Sequence, residues 1–429
     1  MLIRGGTILQ PSGRTVADVR IEGDRIVAVG PNLPVAAGSI VLDAGGCWVM
    51  PGLVDLHVHL RQPGGEDAET VETGSRAAAL GGFTAVLAMP NTSPAQDCVE
   101  VVRAVRSFGV RAGLCDVHPA GAITVGRAGE TLTDFESLYL EGVRMFTDDG
   151  NEVADAAVMR AAFTRAARLP GAVLGQHAEC AALVLEGHLH EGRVSALLGL
   201  AGRPAEAEEI TVARDIALAR LTGGRLHILH ASTARTVAHA KAAKAEGLDV
   251  TIEVTPQHLT LTEDACAGGD PLFKVNPPLR TAADVAALRQ GLSTGVIDSV
   301  ATDHAPHTSS SKAKGFADAP PGMLGLETAL SVIFTDLVLP GLLTLEQMVT
   351  VMSCQPARIA GLASHGSAVA IKSVANLCIV DPQRSFTVDP AVTASKSRNT
   401  PFAGRTLRGK VRHTVLAGVP VVIGEVAQR

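Results

Sequence analysis

Eight short apolar runs rich in β-branched residues, each ending in polar ones, lie between Pro51 and about Gly361: residues 53–59, 84–89, 111–118, 143–147, 172–177, 225–230, 249–255 and 296–303. Most are followed by an Ala-rich, helix-prone stretch. Strand alternating with helix eight times predicts an α/β chain built on a (β/α)8 TIM-type barrel over residues 51–364. In that architecture functional side chains sit at the C-terminal ends of strands. His59, Asn91, Asp149, His177, His230 and Asp303 all fall at or just beyond such ends.

The first fifty residues have a different texture, period-2 strands with a turn at Glu22-Gly23-Asp24 separating residues 19–21 from 25–29. After a helical segment at 345–361 the tail returns to it. Residues 376–380, 410–416 and 419–423 read as strands, with Ala417-Gly418 as a turn. The two flanking pieces, 1–50 and 365–429, are expected to pair into one composite β domain, a small β-sandwich beside the barrel.

Hydrophobic residues make up 46% and charged residues 19%, which places the chain among globular proteins rather than disordered ones. A net charge of -6, one Trp, one Tyr and no dense Lys/Arg run speak against nucleic-acid binding. The apolar stretch 77–89 is too short for a membrane span, holds two glycines and ends at Pro90, so it reads as a buried passage from helix to strand. No signal peptide is read at the N-terminus. The seven cysteines are scattered and never form C-x-x-C, which suits a reduced, cytoplasmic enzyme.

The sharpest local signal is Asp55-Leu56-His57-Val58-His59-Leu60-Arg61, where a strand's period of two sends His57 and His59 to one face. Two imidazoles so placed can share a metal, although the pair alone equally suits ordinary polar residues of a barrel interior. His177 and His230 end later strands, and Asp149 and Asp303 end others. Four histidines and two carboxylates at one barrel mouth are costly to bury unpaired, whereas a divalent cation satisfies them all. Nitrogen and oxygen ligands without a nearby thiolate favour Zn²⁺ or a similar first-row ion. Six ligands exceed what one tetrahedral zinc takes, which points to two ions per chain. Such a pair can hold a bridging hydroxide and polarise a carbonyl, so metal-assisted hydrolysis is the natural reaction class.

The second strong element is Ala301-Thr302-Asp303-His304-Ala305-Pro306-His307, with Lys312 beyond it. Asp303 can ligate metal and shuttle a proton, and His307 can face a substrate. His304 points the other way from its neighbour and reads as structural. His118, His188, His190, His227, His239, His258, His365 and His413 form no spacing that demands a ligand and read as structural or surface residues.

Together these motifs resemble the signatures of dihydroorotases of the bacterial type I class, in the amidohydrolase superfamily, over essentially the whole chain. Besides DLHVHLR and ATDHAPHTSSSK, the sequence carries AMPNT (88–92), FTDDG (146–150), GQHAE (175–179), ILHAST (228–233), VTPQHL (254–259), KVNPPLR (274–280) and PGMLGLET (321–328) in family order. The resemblance implies one metal ion on His57, His59 and Asp303, a second on His177 and His230, and Asp149 bridging or shared. It implies Asp303 as catalytic general acid/base. It also assigns Arg61, Asn91 and His307 to a substrate carboxylate, puts His59 at the substrate, and lines the pocket with Asn276, Pro321 and Gly322. An Arg fork opposite a small carboxylate is physically apt. The implied activity is reversible hydrolysis of (S)-dihydroorotate to N-carbamoyl-L-aspartate in de novo pyrimidine (UMP) biosynthesis.

Hydantoinases, allantoinases and other dihydroorotase classes use a carbamylated lysine at the end of the fourth strand as the metal bridge. No lysine occurs before Lys241, so Asp149 is the carboxylate available there. One departure is Ser309-Ser310-Ser311, where the family often has acidic residues before the lysine. Two other readings stand beside this one. Another cyclic amidohydrolase would leave Arg61 and Asn91 without a carboxylate to meet. A silent homologue acting as scaffold for aspartate transcarbamoylase would be expected to lose ligands, and every proposed ligand is present. Expected partners are a small-molecule substrate, further copies of the chain in a homo-oligomer, and aspartate transcarbamoylase, with neither nucleic acid nor membrane. Residues 307–325, rich in Ser, Lys, Ala, Gly and Pro, suit a mobile lid.

Overall fold

Strand Leu53–Val58 is buried along its whole length, the mark of a parallel strand covered on both faces. The structure, a computed structural model, describes residues 1–429. Five strands precede or begin this region: β1 (Leu2–Gln10), β2 (Gly13–Glu22), β3 (Arg25–Gly30), β4 (Val41–Asp43) and β5 (Trp48–Pro51). Then come β6 (Leu53–Val58), β7 (Phe83–Ala88), β8 (Asp116–Pro119), β9 (Met145–Phe146) and β10 (Val173–Gln176). A short pair, β11 (Leu189–His190) and β12 (Gly202–Arg203), precedes β13 (Leu226–Ile228), β14 (Val250–Val254) and β15 (Ser299–Val300). The chain ends with β16 (Leu377–Thr387), β17 (Thr406–Leu416), β18 (Val419–Ile423) and β19 (Val426–Ala427).

Strands β6, β7 and β8 pair in parallel, as do β9, β10, β13, β14 and β15. Parallel bridges Gly121 to Phe146 and Val58 to His304 join the two sets at both edges, so the path of pairings returns to β6. Helices such as Val71–Leu80, Val99–Ala112, Glu206–Thr222 and Ala282–Ser293 make the crossovers. The helix Val99–Ala112 ends where Gly113 takes φ 60°, a left-handed cap. Gly109 in it lets Val117 of β8 approach, since a Cβ there would stand 2.6 Å from the Val117 Cβ. Between strands and helices lies a core of 60 buried residues, with Phe135 stacked on Phe146 at 4.2 Å. Leu56, Leu87, Met145, Val173 and Leu229 form a smaller cluster on the strands' other face.

The terminal segments share one nine-stranded sheet in the order β19-β18-β17-β16-β5-β1-β2-β3, with β4 on β1. N- and C-terminal halves meet where Val49 of β5 faces Ile379 of β16. This sheet has its own 15-residue core, including Ile3, Val19, Ile26, Leu377 and Val415. The expected turns at Gly23 and Gly418 touch: a Cβ on Gly418 would lie 2.0 Å from the Gly23 carbonyl oxygen.

Several boundaries differ from the sequence reading. Arg111 and Ala112 belong to a helix, so the run 111–118 yields a strand only from Asp116. The run 296–303 keeps only Ser299–Val300 as strand, and Asp303 beyond it adopts φ 47°. Strand β16 continues past Val380 through an irregularity between Asp381 and Ser385. The helix from Leu345 ends at Ile359 and contains a π-helical turn, Thr350–Cys354, just before Pro356, which has no N–H to continue the ladder. No helix is long and apolar enough to cross a membrane.

Candidate metal centre and substrate pocket

His59, Asp149, His177, His230 and Asp303 reach one point because each follows the C-terminal end of a parallel strand, β6, β9, β10, β13 and β15; His57 lies within β6. Two sets of ligand atoms lie within 4.8 Å of one another, His57 with Asp149 and His230, and His57 with His59 and Asp303. Asp149 stands between the groups. Its Oδ2 is 3.3 Å from His57 Nε2 and 3.6 Å from His59 Nε2, while its Oδ1 is 3.4 Å from both His177 Nδ1 and His230 Nε2. Asp303 Oδ1 lies 3.0 Å from His59 Nε2 and 3.5 Å from His57 Nε2. The structure thus brings together all six residues expected as ligands. Arg61, His230 and Asp303 have φ of 60°, 29° and 47°, a region strained for residues with a Cβ and often tolerated at functional sites.

The imidazoles are aimed from behind. His57 Nδ1 bonds Glu253 Oε1 at 2.8 Å, and Glu253 also takes His227 Nε2 at 3.0 Å and the backbone N–H of His230 at 3.2 Å. His59 Nδ1 donates to Asn91 Oδ1 at 2.9 Å, which leaves Nε2 as a lone pair facing Asp303. Asn276 Nδ2 donates to His177 Nε2 at 3.2 Å and to Glu179 Oε2 at 3.1 Å. Glu253 and His227 escape motif reasoning. The available signal is a carboxylate inside the apolar run 249–255, since a buried carboxylate requires partners.

Two atoms test whether a cation fits. His57 Nε2 and Asp149 Oδ1 are buried with no hydrogen bond of acceptable geometry. Burial opposes charge on His57, yet Asp149 and Asp303 hold its pKa well above the imidazole range. Burial likewise works to raise the Asp149 carboxyl, but His57, His177 and His230 hold it well below the carboxylate range. A divalent ion takes the place of the protons that these carboxylates otherwise hold on the imidazoles, so these residues fit a metal.

His59, Asp149, His177, His230 and Asp303 line a cavity of about 240 Å³ together with Arg61, Asn91, Asn276, His307, Pro321 and Gly322. His57 lies buried beneath it. Arg61 Nε donates to the Pro306 carbonyl at 3.1 Å, and its Nη2 is 3.5 Å from His307 Nε2. Burial lowers the Arg61 pKa to about 10, so it stays cationic at neutral pH. Burial, then Arg61 and Lys312, lower His307 to about 3; the neutral ring donates from Nε2 to the Pro321 carbonyl at 2.8 Å. Asn399, from the C-terminal segment, accepts from the His307 N–H at 3.1 Å and donates to the carbonyls of Ala305 and Gly322 at 2.9 and 3.0 Å. Sequence reasoning misses it because Asn399 lies 92 residues from His307. His304 stands outside the cavity, where its Nδ1 accepts from the Gly325 N–H at 3.2 Å. Within the segment 307–325, read as suited to a lid, Lys312 Nζ donates to the Pro320 carbonyl at 3.0 Å, and Phe316 and Met323 are buried in one cluster with Val275 and Leu279.

A family profile described as Dihydro-orotase-like matches residues 46–236. The chain is 48% identical over 427 residues to the dihydroorotase of Mycobacterium leprae, covering 99% of both chains. It is 49% identical over 421 residues to that of Mycobacterium tuberculosis, covering 97% of both. The chain belongs to the dihydroorotase family. Membership makes it an enzyme, a hydrolase of cyclic amide bonds with dihydroorotase function in pyrimidine biosynthesis. Among solved structures it is similar to an L-hydantoinase (dihydropyrimidinase) from Arthrobacter aurescens, with a TM-score of 0.89, 26% identity and coverage of 100% of this chain and 97% of that one.

Proposed function

We propose that this chain is a dihydroorotase of the bacterial type I class that interconverts (S)-dihydroorotate and N-carbamoyl-L-aspartate, run towards ring closure for UMP synthesis. The observation that carries this reading is Asp149 between two histidine groups, at the end of the fourth strand of the ring, in a chain with no lysine before Lys241. That carboxylate stands where lysine-bridged relatives need their modified lysine.

In this reading residues 51–364 are a (β/α)8 amidohydrolase barrel. Residues 1–50 and 365–429 form a composite β-sandwich domain around the terminal core. His57, His59 and Asp303 would hold one Zn²⁺ and His177 and His230 a second, with Asp149 available to both. When bound, the ions supply an acidified water and polarise the substrate carbonyl. The Arg61 guanidinium takes the substrate carboxylate with a charge-assisted fork, flanked by Asn91 and His307, and His59 reaches the substrate from the metal side. Asn276, Pro321 and Gly322 line the wall that holds the ring. The Asp303 carboxylate takes the proton of the attacking water and delivers it to the departing ring nitrogen, and the reverse transfer serves cyclisation.

The enzyme is placed in the cytoplasm, in keeping with seven free cysteines. It works as a homo-oligomer, alone or in complex with aspartate transcarbamoylase. Similarity to solved hydantoinases keeps a second reading in view, turnover of hydantoin-like rings. The partly buried Arg61 opposes it, because an uncharged ring leaves the guanidinium without a carboxylate.

The test is turnover by the purified, metal-replete chain in both directions, with hydantoin and allantoin as comparison substrates. Selective turnover of dihydroorotate is expected. Preference for hydantoin or allantoin would overturn the assignment, and silence on all three relieved only by aspartate transcarbamoylase would make the partner part of the site.

A further inference from the structure

A second cluster of metal-ligating side chains lies toward the other end of the same strands. Asp116 and His118 are the first and third residues of β8. Val117 between them packs on Gly109 of the helix Val99–Ala112, so strand alternation turns Asp116 and His118 to the opposite face. There His118 pairs with Leu87, a member of the inner cluster. His365, from the segment between the last helix of the ring and β16, comes to meet them. Its Nε2 is 3.0 Å from Asp116 Oδ2, and its ring stands 6.1 Å from that of His118. One ligand atom from each of the three residues lies within 4.8 Å of the others.

The cluster has features of a built site. His365 Nδ1 lies 3.1 Å from Thr84 Oγ1 and accepts from Asn376 Nδ2 at 3.2 Å, which fixes the ring with its Nε2–H directed at Asp116. His118 Nε2 is buried with no hydrogen-bond partner. The Asp116 side chain is 49% exposed, which gives an ion a way in and leaves room for water. Arg106 adds an opposing positive potential at His118, but its guanidinium is bonded to the Glu141 carbonyl.

We propose that Asp116, His118 and His365 form a binding site for Zn²⁺ or a similar first-row divalent cation, separate from the substrate pocket. Two imidazoles and a carboxylate are a sufficient protein donor set, with water completing a tetrahedron. To ligate the ion the neutral His365 ring moves its proton from Nε2 to Nδ1, where Thr84 Oγ1 accepts it in place of the Asn376 bond, and Asp116 turns from accepting that proton to ligating. The ion links β8 to the segment that leads into β16, and so ties the ring to the terminal sheet.

The experiment titrates Zn²⁺ into metal-stripped full-length chain, native, His118→Asn and Asp116→Asn, and reads zinc per chain after desalting together with Tm. The native chain is expected to retain one zinc more than either variant and to show the larger zinc-induced rise in Tm. Turnover of the metal-replete variants should stay within about twofold of native, since neither residue touches the pocket. Asp116→Asn keeps the side-chain shape and an acceptor for His365, so it decides the matter even if His118→Asn fails to fold. Equal zinc counts and equal Tm shifts in native chain and Asp116→Asn would overturn the site. Loss of the zinc with a large loss of turnover would overturn its separateness from the pocket.

Discussion

Glu253 Oε1 accepts a hydrogen bond from His57 Nδ1 at 2.8 Å with both side chains fully buried. The bond fixes the orientation of His57 and turns its Nε2 toward Asp149 and Asp303. Burial works to raise the Glu253 carboxyl, but His227 and His57 hold it well below the carboxylate range, so it stays an acceptor.

Glu253→Gln is therefore expected to weaken metal binding about 10–100-fold, because the amide can present an N–H to His57 and favour the wrong tautomer. Zinc retained in competition with a chelator measures this directly, with Tm of the metal-free protein as the control for folding. Unchanged retention would reduce Glu253 to a packing residue.

Asp303→Asn keeps the shape of the side chain and removes its basicity. Turnover should fall by about 10²–10⁴-fold in both directions, the range for losing a general acid/base, while the variant remains folded. Near-native rates in either direction would remove Asp303 from proton transfer.

The convergence of His57, His59, Asp149, His177, His230 and Asp303 is legible in the sequence because strand-end placement follows from periodicity and chain order alone. What orients them is not, since Glu253 lies 196 residues from His57. Only tertiary packing brings such pairs together. The strand ends are misread for a local reason. β13 ends at Ile228 and β15 at Val300 while the apolar pattern runs on to Leu229 and Ala301, and the chain then turns through positive φ at His230 and Asp303. In the terminal sheet the alternation is visible, but the choice of β5 as partner of β16 has no local signature.

Arg61→Ala separates substrate binding from metal binding. Losing a charge-assisted pair costs about 1.5–3 kcal/mol, or roughly a 10–100-fold rise in KM for dihydroorotate. Zinc content should be unchanged, because Arg61 contacts Pro306 and His307 rather than a carboxylate of the cluster. Arg61→Lys should recover only part of the loss, since an ammonium lacks the planar fork. A KM unaffected by either substitution would take the carboxylate away from Arg61.

Lys312 gives a pH signature of the loop that carries Pro321. Burial, then the positive charge of Lys274, lower its pKa from 10.5 to about 8. Between those values the unfolded chain binds more protons at this position than the folded one, so this group makes stability rise with pH through that window. Below about 8 both states are protonated and the cost of burying the ammonium is present in full. Lys312→Met removes that cost together with the hydrogen bonds to the carbonyls of Lys274 and Pro320. Denaturant midpoints of native chain and variant, taken from pH 7 to about pH 10, should then show a gain on raising pH in the native protein that is absent from Lys312→Met. Parallel pH profiles would mean that Lys312 keeps an ordinary pKa, with its ammonium solvated rather than enclosed by the loop.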